Sequence, residues 1–150
     1  LAPGRPHRPV QFIDVRDLAA WCVRLAMRRT AGVVHGVGPI GTMAELLDAS
    51  IHDCGSDARL VWCSDADLLR ANVAPWTGMP LWIPEADADH GGMLLASNQR
   101  AIAAGLTTRA WIDTVRDTLA WARTAGPAAA STVAMTPAAE TTLLEGLKTV

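Results

Sequence analysis

The chain of 150 residues contains no tyrosine and a single lysine, Lys148. Any mechanism that depends on a tyrosine–lysine pair is therefore excluded within these residues. Long apolar runs are also missing, because none approaches the roughly 18–20 residues that a membrane helix needs. Residues 1–9 are rich in proline and arginine and do not resemble a signal peptide. We therefore expect a cytoplasmic protein without a membrane partner.

Excess positive charge and paired cysteine motifs are missing as well. The formal net charge is -2 and the isoelectric point is about 6.1, which argues against a generally basic nucleic-acid-binding protein. Cys22, Cys54 and Cys63 form no Cys-x-x-Cys pair, so no structural zinc site is expected. The sequence predicts three reduced, mostly buried thiols in a cytoplasmic protein.

What the chain does contain is enough apolar sequence for a folded core. Half of the residues are hydrophobic and 19% are charged, so the chain is not of the disordered class. Its length is typical of one domain. The first residue is Leu1 rather than methionine, and we therefore expect a processed or truncated product of a longer protein.

Three short apolar segments are typical of β-strands, at residues 10–13, 33–37 and 59–63. Helical patterns follow each of them, and the predicted order is β-α-β-α-β-α-loop-α-α-α. Strands that alternate with helices favour an α/β protein with partly parallel strands. Sheets usually have about four to six strands, so three strands indicate part of a sheet rather than a complete one.

Helix starts are marked by capping residues. Asp14 precedes the first helix, and Asp17 places a second carboxylate in its first turn, where the helix dipole favours it. Thr42 and Glu45 have the Thr-x-x-Glu spacing of a capping box. Ser64 or Asp65 begins a short third helix. Later helices are predicted over 98–104, 111–125 and the tail from 136, after an irregular stretch at 72–92.

Residues 12–19 read Phe-Ile-Asp-Val-Arg-Asp-Leu-Ala. This run resembles the strand-into-helix motif of the extended short-chain dehydrogenases, the NAD-dependent epimerase/dehydratase family. Residues 32–38, followed by 42–47, resemble that family's unit of a strand, a glycine-rich turn and a threonine-capped helix. Residues 98–106 and 115–121 are similar to its closing helices. The tail at 135–140 resembles the C-terminal helix of some bacterial members that are called reductases.

The resemblance spans most of the chain and covers only the C-terminal half of such a protein. It implies an α/β fold that is the C-terminal part of a Rossmann-like extended short-chain dehydrogenase, with few short strands and about six helices. Residues 1–125 would then form a substrate-binding portion, 126–135 a linker, and 136–150 a C-terminal tail helix.

Two parts of the family's catalytic equipment are missing from the sequence. The first is the Tyr-x-x-x-Lys pair, in which the family's tyrosine supplies the proton for hydride transfer. The second is the dinucleotide fingerprint. Gly36, Gly38 and Gly41 have G-x-G-x-x-G spacing, but Pro39 lies inside the motif and no acidic residue closes a following strand at the usual distance. We interpret these glycines as a structural turn before a capped helix.

The resemblance therefore implies the substrate-binding half of an NAD(P)-dependent oxidoreductase, epimerase or reductase. Its partners would be a small-molecule substrate and an N-terminal dinucleotide-binding half. We expect this chain alone to be inactive and to bind NAD or NADP weakly or not at all. The alternatives are a non-catalytic binding or oligomerisation module, which pairs apolar faces with another chain or with itself, and a truncated gene product.

Four residues are the candidates for substrate contacts, and we predict no catalytic, cofactor-binding or metal-binding residue. Many sugar-nucleotide members of the family have an arginine where this chain has Val10, and Arg8 is the nearest arginine that could reach a substrate anion. The alternative is an exposed loop arginine. Gln11 could hydrogen-bond a substrate or be a polar edge-strand residue. Trp76 and Trp82 could form an apolar lid or fasten their loop to the core.

Overall fold

A computed structural model of the chain describes residues 1–126 and 134–147. Within these residues it contains four short β-strands and six α-helices, which confirms the predicted α/β class. The strands are β1 (Ala2–Pro3), β2 (Pro9–Gln11), β3 (Ile40–Thr42) and β4 (Trp62–Cys63). The helices are α1 (Val15–Met27), α2 (Met43–Cys54), α3 (Asp65–Arg70), α4 (Gln99–Ala103), α5 (Trp111–Ala125) and α6 (Pro137–Leu147).

The strands form two separate pairs. β1 is parallel to β4, with Ala2 opposite Trp62, and β2 is antiparallel to β3, with Val10 opposite Gly41. The prediction of partly parallel strands is thus confirmed. The predicted strand at 33–37 is wrong, because those residues are irregular and Val33 is 83% exposed. The segment that pairs with β2 begins at Ile40 instead.

Capping residues begin three helices as the sequence predicts. The Asp14 carboxylate accepts the Arg16 N–H at the start of α1. The Thr42 hydroxyl accepts the Glu45 N–H while the Glu45 carboxylate accepts the Thr42 N–H, which completes the capping box of α2. Ser64 caps α3 by accepting the Asp67 N–H. Local side-chain chemistry therefore sets where these helices begin.

The tail helix begins at Pro137, and the Thr136 hydroxyl accepts the Ala139 N–H. Of the predicted linker, residues 127–133 lie outside the described residues, and so does the end of the tail at 148–150. Within the described ranges, none of the helices combines the length and hydrophobicity that a bilayer crossing requires. The prediction of mostly buried thiols is wrong for Cys22, which is exposed, whereas Cys63 is buried.

Two hydrophobic clusters form the core. The first contains Trp21, Ala101 and Leu106, and it joins α1 to α4 and the turn that follows α4. The second contains Cys63, Leu68 and Trp82, and the partly buried Leu143 and Leu147 of α6 pack against it. The tail helix is therefore attached to the molecule through the second cluster.

An ion-pair network joins the start of α1 to the start of α5. The Asp14 carboxylate accepts hydrogen bonds from the Arg16 guanidinium and the Thr114 hydroxyl, the latter at 2.8 Å. The Asp17 carboxylate accepts three N–H groups of Arg109 at 2.8–3.0 Å. The hydrogen bonds from Arg16 are the main reason that the pKa of Asp14 lies well below its usual range. Asp14 and Asp17 therefore hold separate parts of the chain together.

We expect the Asp14→Asn substitution to lower the free energy of unfolding by about 1–3 kcal/mol at pH 7, because it replaces charge-assisted hydrogen bonds at a buried site. Asparagine still caps helices, so the loss isolates the charge. The depressed pKa stabilises the folded state fully above about pH 4, the unfolded value for aspartate. The difference from wild type should therefore shrink as the pH falls below 4.

Urea unfolding between pH 2 and pH 7 measures this difference. Asp117→Asn is the matched control, because Asp117 is also a partner of Arg16 but its side chain is 56% exposed. That variant should change stability little. An Asp14→Asn loss that stays constant across the whole pH range would contradict the assigned role of the carboxylate.

Candidate ligand-binding site

A cavity of about 980 Å³ lies between α6 and the segment that runs from α3 into the loop at 71–78. Ligand sites in proteins usually have volumes of about 300–1,000 Å³ and mostly apolar walls with a few polar groups. The lining here is largely apolar, with Asp67, Arg70 and Asn72 among its polar members. We therefore take this cavity as the candidate site.

The first wall of the cavity is a tightly folded turn after α3. Asn72 has a left-handed backbone with φ 56°, a conformation that asparagine tolerates, and its N–H donates to the Leu69 carbonyl. The Val73 N–H donates to the Leu68 carbonyl at 3.0 Å. A Cβ atom on Gly78 would lie 2.9 Å from both the N and the O of Ala74. Glycine at 78 therefore lets the loop close on itself.

The second wall is one face of α6. Leu143 and Leu147 line the cavity and also pack against the cluster of Cys63, Leu68 and Trp82, so they fix the position of the helix. Ala139 and Gly146 lie on the same face. A Cβ atom on Gly146 would meet nothing within 4 Å. Small residues on this face leave part of the volume open.

The charged groups of the lining form an ion pair. Arg70 donates to the Asp67 carboxylate one turn earlier on α3. The Ser64 hydroxyl donates to the same carboxylate at 2.6 Å, and it contributes most to holding the pKa of Asp67 below its usual range, followed by Arg70. Asp67 is therefore a stable anion, and its charge is balanced by its neighbour.

A partly buried carboxylate, that of Asp65, stabilises the base of this region. The Asp65 carboxylate accepts N–H groups from the Trp82 indole at 2.8 Å, the Glu85 backbone at 2.8 Å and Arg8 at 3.1 Å. Burial alone would raise the pKa of Asp65, but these donors together keep it below its usual value. The carboxylate thus connects α3, the long loop and the N-terminal segment.

Two of the four predicted substrate residues meet at this carboxylate and lie outside the cavity lining. Arg8 is 3% exposed and also donates to the Ile83 carbonyl at 2.5 Å, so it is not an exposed loop arginine. Trp82 is fully buried, which confirms the alternative prediction that it fastens its loop to the core. Substrate contact by either residue stays a prediction.

The other two predicted residues lie apart from one another. The Gln11 amide donates to the carbonyls of Gly38 and Ala96 and accepts the Ala96 N–H. Its polar atoms are thus engaged with backbone groups at a site that is 6% exposed. Trp76 is 42% exposed, and its backbone N–H donates to the Trp82 carbonyl. Neither residue is part of the cavity lining.

The glycines with dinucleotide-motif spacing do not form a nucleotide cradle. A Cβ atom on Gly38 would lie 2.0 Å from the Phe12 carbonyl oxygen, and one on Gly41 would lie 2.4 Å from the Trp111 ring. The space beside each glycine is therefore filled by the protein. The N-terminus of α2, where a pyrophosphate would bind, already holds the Glu45 carboxylate. These residues do not fit NAD or NADP.

Three side chains that could ligate a metal ion lie close together because they belong to one turn of the long loop. Oxygen and nitrogen atoms of Asp87, Asp89 and His90 lie within 4.8 Å of one another. The Asp87 carboxylate accepts the backbone N–H groups of Asp89 and His90 and contacts the His90 ring at 3.2 Å. Asp89 and His90 are exposed. The group is therefore an exposed acidic turn whose atoms already hydrogen-bond to one another.

A second cavity, of about 480 Å³, lies between α2 and α5 beside Phe12 and Leu81. Two of the hydroxyl groups in its lining are already used, because Ser50 donates to the Leu46 carbonyl and Thr114 donates to Asp14. This cavity offers less volume and less polar chemistry than the first, and it therefore provides a matched control.

The residues that line the first cavity at 71–78 and 139–146 carry no sequence motif, so they are not among the predicted site residues. The available signal was the spacing of Ala139, Thr142 and Gly146 on one face of a predicted helix. Comparisons with known proteins matched no family model, no curated protein and no solved structure. The family resemblance therefore rests on the sequence motifs and stays a prediction.

Proposed function

We propose that this chain is the substrate-binding portion of an NAD(P)-dependent oxidoreductase, epimerase or reductase of the extended short-chain dehydrogenase type. The motifs at 12–19 and 98–121 support the family, as does the threonine-capped helix of the unit at 32–47, whose expected strand is absent. The observation that carries the binding role is the cavity of about 980 Å³, whose size and mostly apolar lining suit a small organic molecule.

The chain's part in such a reaction is to hold the substrate. It contains no tyrosine that could transfer the proton that accompanies hydride transfer. The nicotinamide cofactor would supply the hydride chemistry, and the groups that bind it would come from a dinucleotide-binding half. Within the chain, α6 and the turn after α3 would form the two walls against which the apolar part of the substrate packs.

We expect the Gly146→Leu variant to lose binding of 1-aminoanthracene, an uncharged fluorescent apolar compound, while the folded state keeps its stability. The leucine side chain enters open space beside the cavity. Leucine has a higher helix propensity than glycine, by up to about 0.8 kcal/mol in a helix interior and by less at position 146, the last but one residue of α6. Fluorescence titration and urea unfolding measure the two effects separately.

Two controls sharpen this test. Gly146→Ala adds a single methyl group and should retain most of the binding. Ala122→Leu places the same final side chain in the second cavity and should leave the titration unchanged. Binding that survives Gly146→Leu but is lost in Ala122→Leu would move the ligand site away from α6 and sink the proposal.

Titration of NADH and NADPH fluorescence with the chain alone should show no saturable binding in the micromolar range. The physical reason is that Gly38 and Gly41 face the protein's own backbone and Trp111 rather than open space. Micromolar affinity for either cofactor would contradict the assignment of cofactor binding to another half.

A non-catalytic assembly module is the second candidate, and the outer face of α1 favours it. Val15, Val23 and Met27 are 73%, 59% and 80% exposed on that helix. Apolar side chains at these spacings form one stripe. For this function we propose association with a second copy of the chain, in which these three side chains become buried at the contact.

Assembly of that kind predicts a concentration-dependent rise in molecular mass on sedimentation, and Met27→Lys should abolish the rise without unfolding the chain. Arg123→Lys, another exposed helical position, serves as the control and should associate like wild type. A monomer at every concentration would exclude the assembly function and leave the substrate-binding proposal intact.

A further inference from the structure

The outer face of α1 is apolar along the whole length of the helix. Besides Val15, Val23 and Met27, its exposed residues are the small side chains Ala19, Ala20, Cys22 and Ala26. Arg16 is the one charged residue that this helix exposes, and its guanidinium is paired with Asp14 and Asp117. The opposite face packs into the first hydrophobic cluster through Trp21. A helix that is apolar on both sides is usually buried on both, so the outer face is typical of a contact with another molecule.

The start of α1 carries an excess of negative charge. Three arginines share five carboxylates there, in the ion pairs of Arg16, Arg109 and Arg116 with Asp14, Asp17, Asp53, Asp113 and Asp117. Two negative charges of this network are therefore not balanced by an arginine. The Asp113 and Asp117 side chains are 50% and 56% exposed, so another molecule can reach them.

The end of α1 carries the opposite charge. Arg24 lies in its last turn, and Arg28 and Arg29 follow directly. Within the described ranges, none of these three arginines lies within ion-pair distance of a carboxylate. The sequence has no acidic residue between Asp17 and Glu45. The helix dipole places only about half of a negative charge at this end, so positive charge is in excess.

The two charged ends are too far apart to neutralise each other within one chain. A helix of 13 residues is about 20 Å long, more than twice the roughly 8 Å over which physiological salt screens charges. A second helix of the same kind, laid along the outer face in the opposite direction, would bring each basic end to an acidic one. The charge pattern of α1 is therefore complementary to itself in one orientation only.

From these observations we infer that two copies of the chain meet through the outer faces of α1 in antiparallel orientation, related by a two-fold axis. Arg28 and Arg29 of each copy then approach Asp113 and Asp117 of the other. Small residues near the middle of the face let the helix axes come as close as about 8 Å. This inference rests on the assembly function proposed above and gives that assembly its geometry.

Charge reversal tests the pairing of the ends by sedimentation equilibrium of the full chain at low ionic strength. Asp117→Lys and Arg29→Asp should each raise the dimer dissociation constant by about tenfold, because each change acts at both symmetric contacts. Aspartate tolerates the left-handed backbone of Arg29, whose φ is 51°. The double variant restores opposite charges and should associate within about threefold of wild type. A double variant as weak as the weaker single variant would overturn the inference.

Arg123→Asp is the matched control, because it makes the same charge change in the last turn of α5. It should leave the dissociation constant within about twofold of wild type, a difference of about 0.4 kcal/mol. Urea unfolding shows whether each variant is folded. A loss of association equal to that of Arg29→Asp would mean that net charge alone matters, and the inference would be wrong.

Disulfide cross-linking tests the orientation independently of charge. Cys22→Ala and Cys54→Ser remove the two thiols that are not buried, and Val15→Cys or Met27→Cys then places a cysteine at one end of the outer face. With oxidised glutathione, an antiparallel contact should join a Val15→Cys chain to a Met27→Cys chain faster than either chain to itself. Faster joining of like chains would show a parallel contact and overturn the inference.

Failure of the inference is distinguishable from failure of the assembly function. If the wild-type chain associates but the reversals and cross-links contradict antiparallel pairing, the geometry is wrong and the assembly stands. If sedimentation shows a monomer at every concentration, both are wrong.

Discussion

The hydrogen bonds to the Asp65 carboxylate are the interaction on which the site depends. Its donors, Arg8, Trp82 and Glu85, are 57, 17 and 20 residues away in sequence. A partly buried charge that loses such partners is costly, so these hydrogen bonds favour one arrangement of the three segments. The turn that forms one wall of the cavity lies between α3 and Trp82, and both of its ends are therefore anchored. A rigid wall of this kind can select ligands by shape.

The opposite wall is held by hydrophobic contact rather than by charge. Leu143 and Leu147 of α6 rest on the cluster that contains Trp82, so the same tryptophan supports both sides of the cavity. Between these anchors, Ala139 and Gly146 provide no bulk. The volume thus follows from large residues at the base and small residues above them, and Leu143 and Leu147 both stabilise the fold and would face a ligand.

Local features of this fold were predictable and long-range ones were not. The caps at Asp14, Thr42 and Ser64 act within a few residues, so their sequence patterns placed three helices correctly. The apolar run at 33–37 was mistaken for a strand because pairing depends on a distant partner, and β2 pairs with residues 40–42. The candidate site joins residues about 70 positions apart, and sequence periodicity carries no information about which faces meet. Burial of Arg8 was likewise invisible, since only the folded chain brings Asp65 beside it.

The residues at 12–19, which carry the clearest family resemblance, stabilise the fold. The Asp14 carboxylate caps α1 and accepts a hydrogen bond from the Thr114 hydroxyl, and the Asp17 carboxylate accepts one from the Arg109 guanidinium. Both carboxylates therefore join α1 to α5 and the residues just before it. A motif of this kind indicates how the chain folds back so that two helices meet. Its presence in another sequence would indicate the same helix junction there, and two proteins could share it while acting on unrelated molecules.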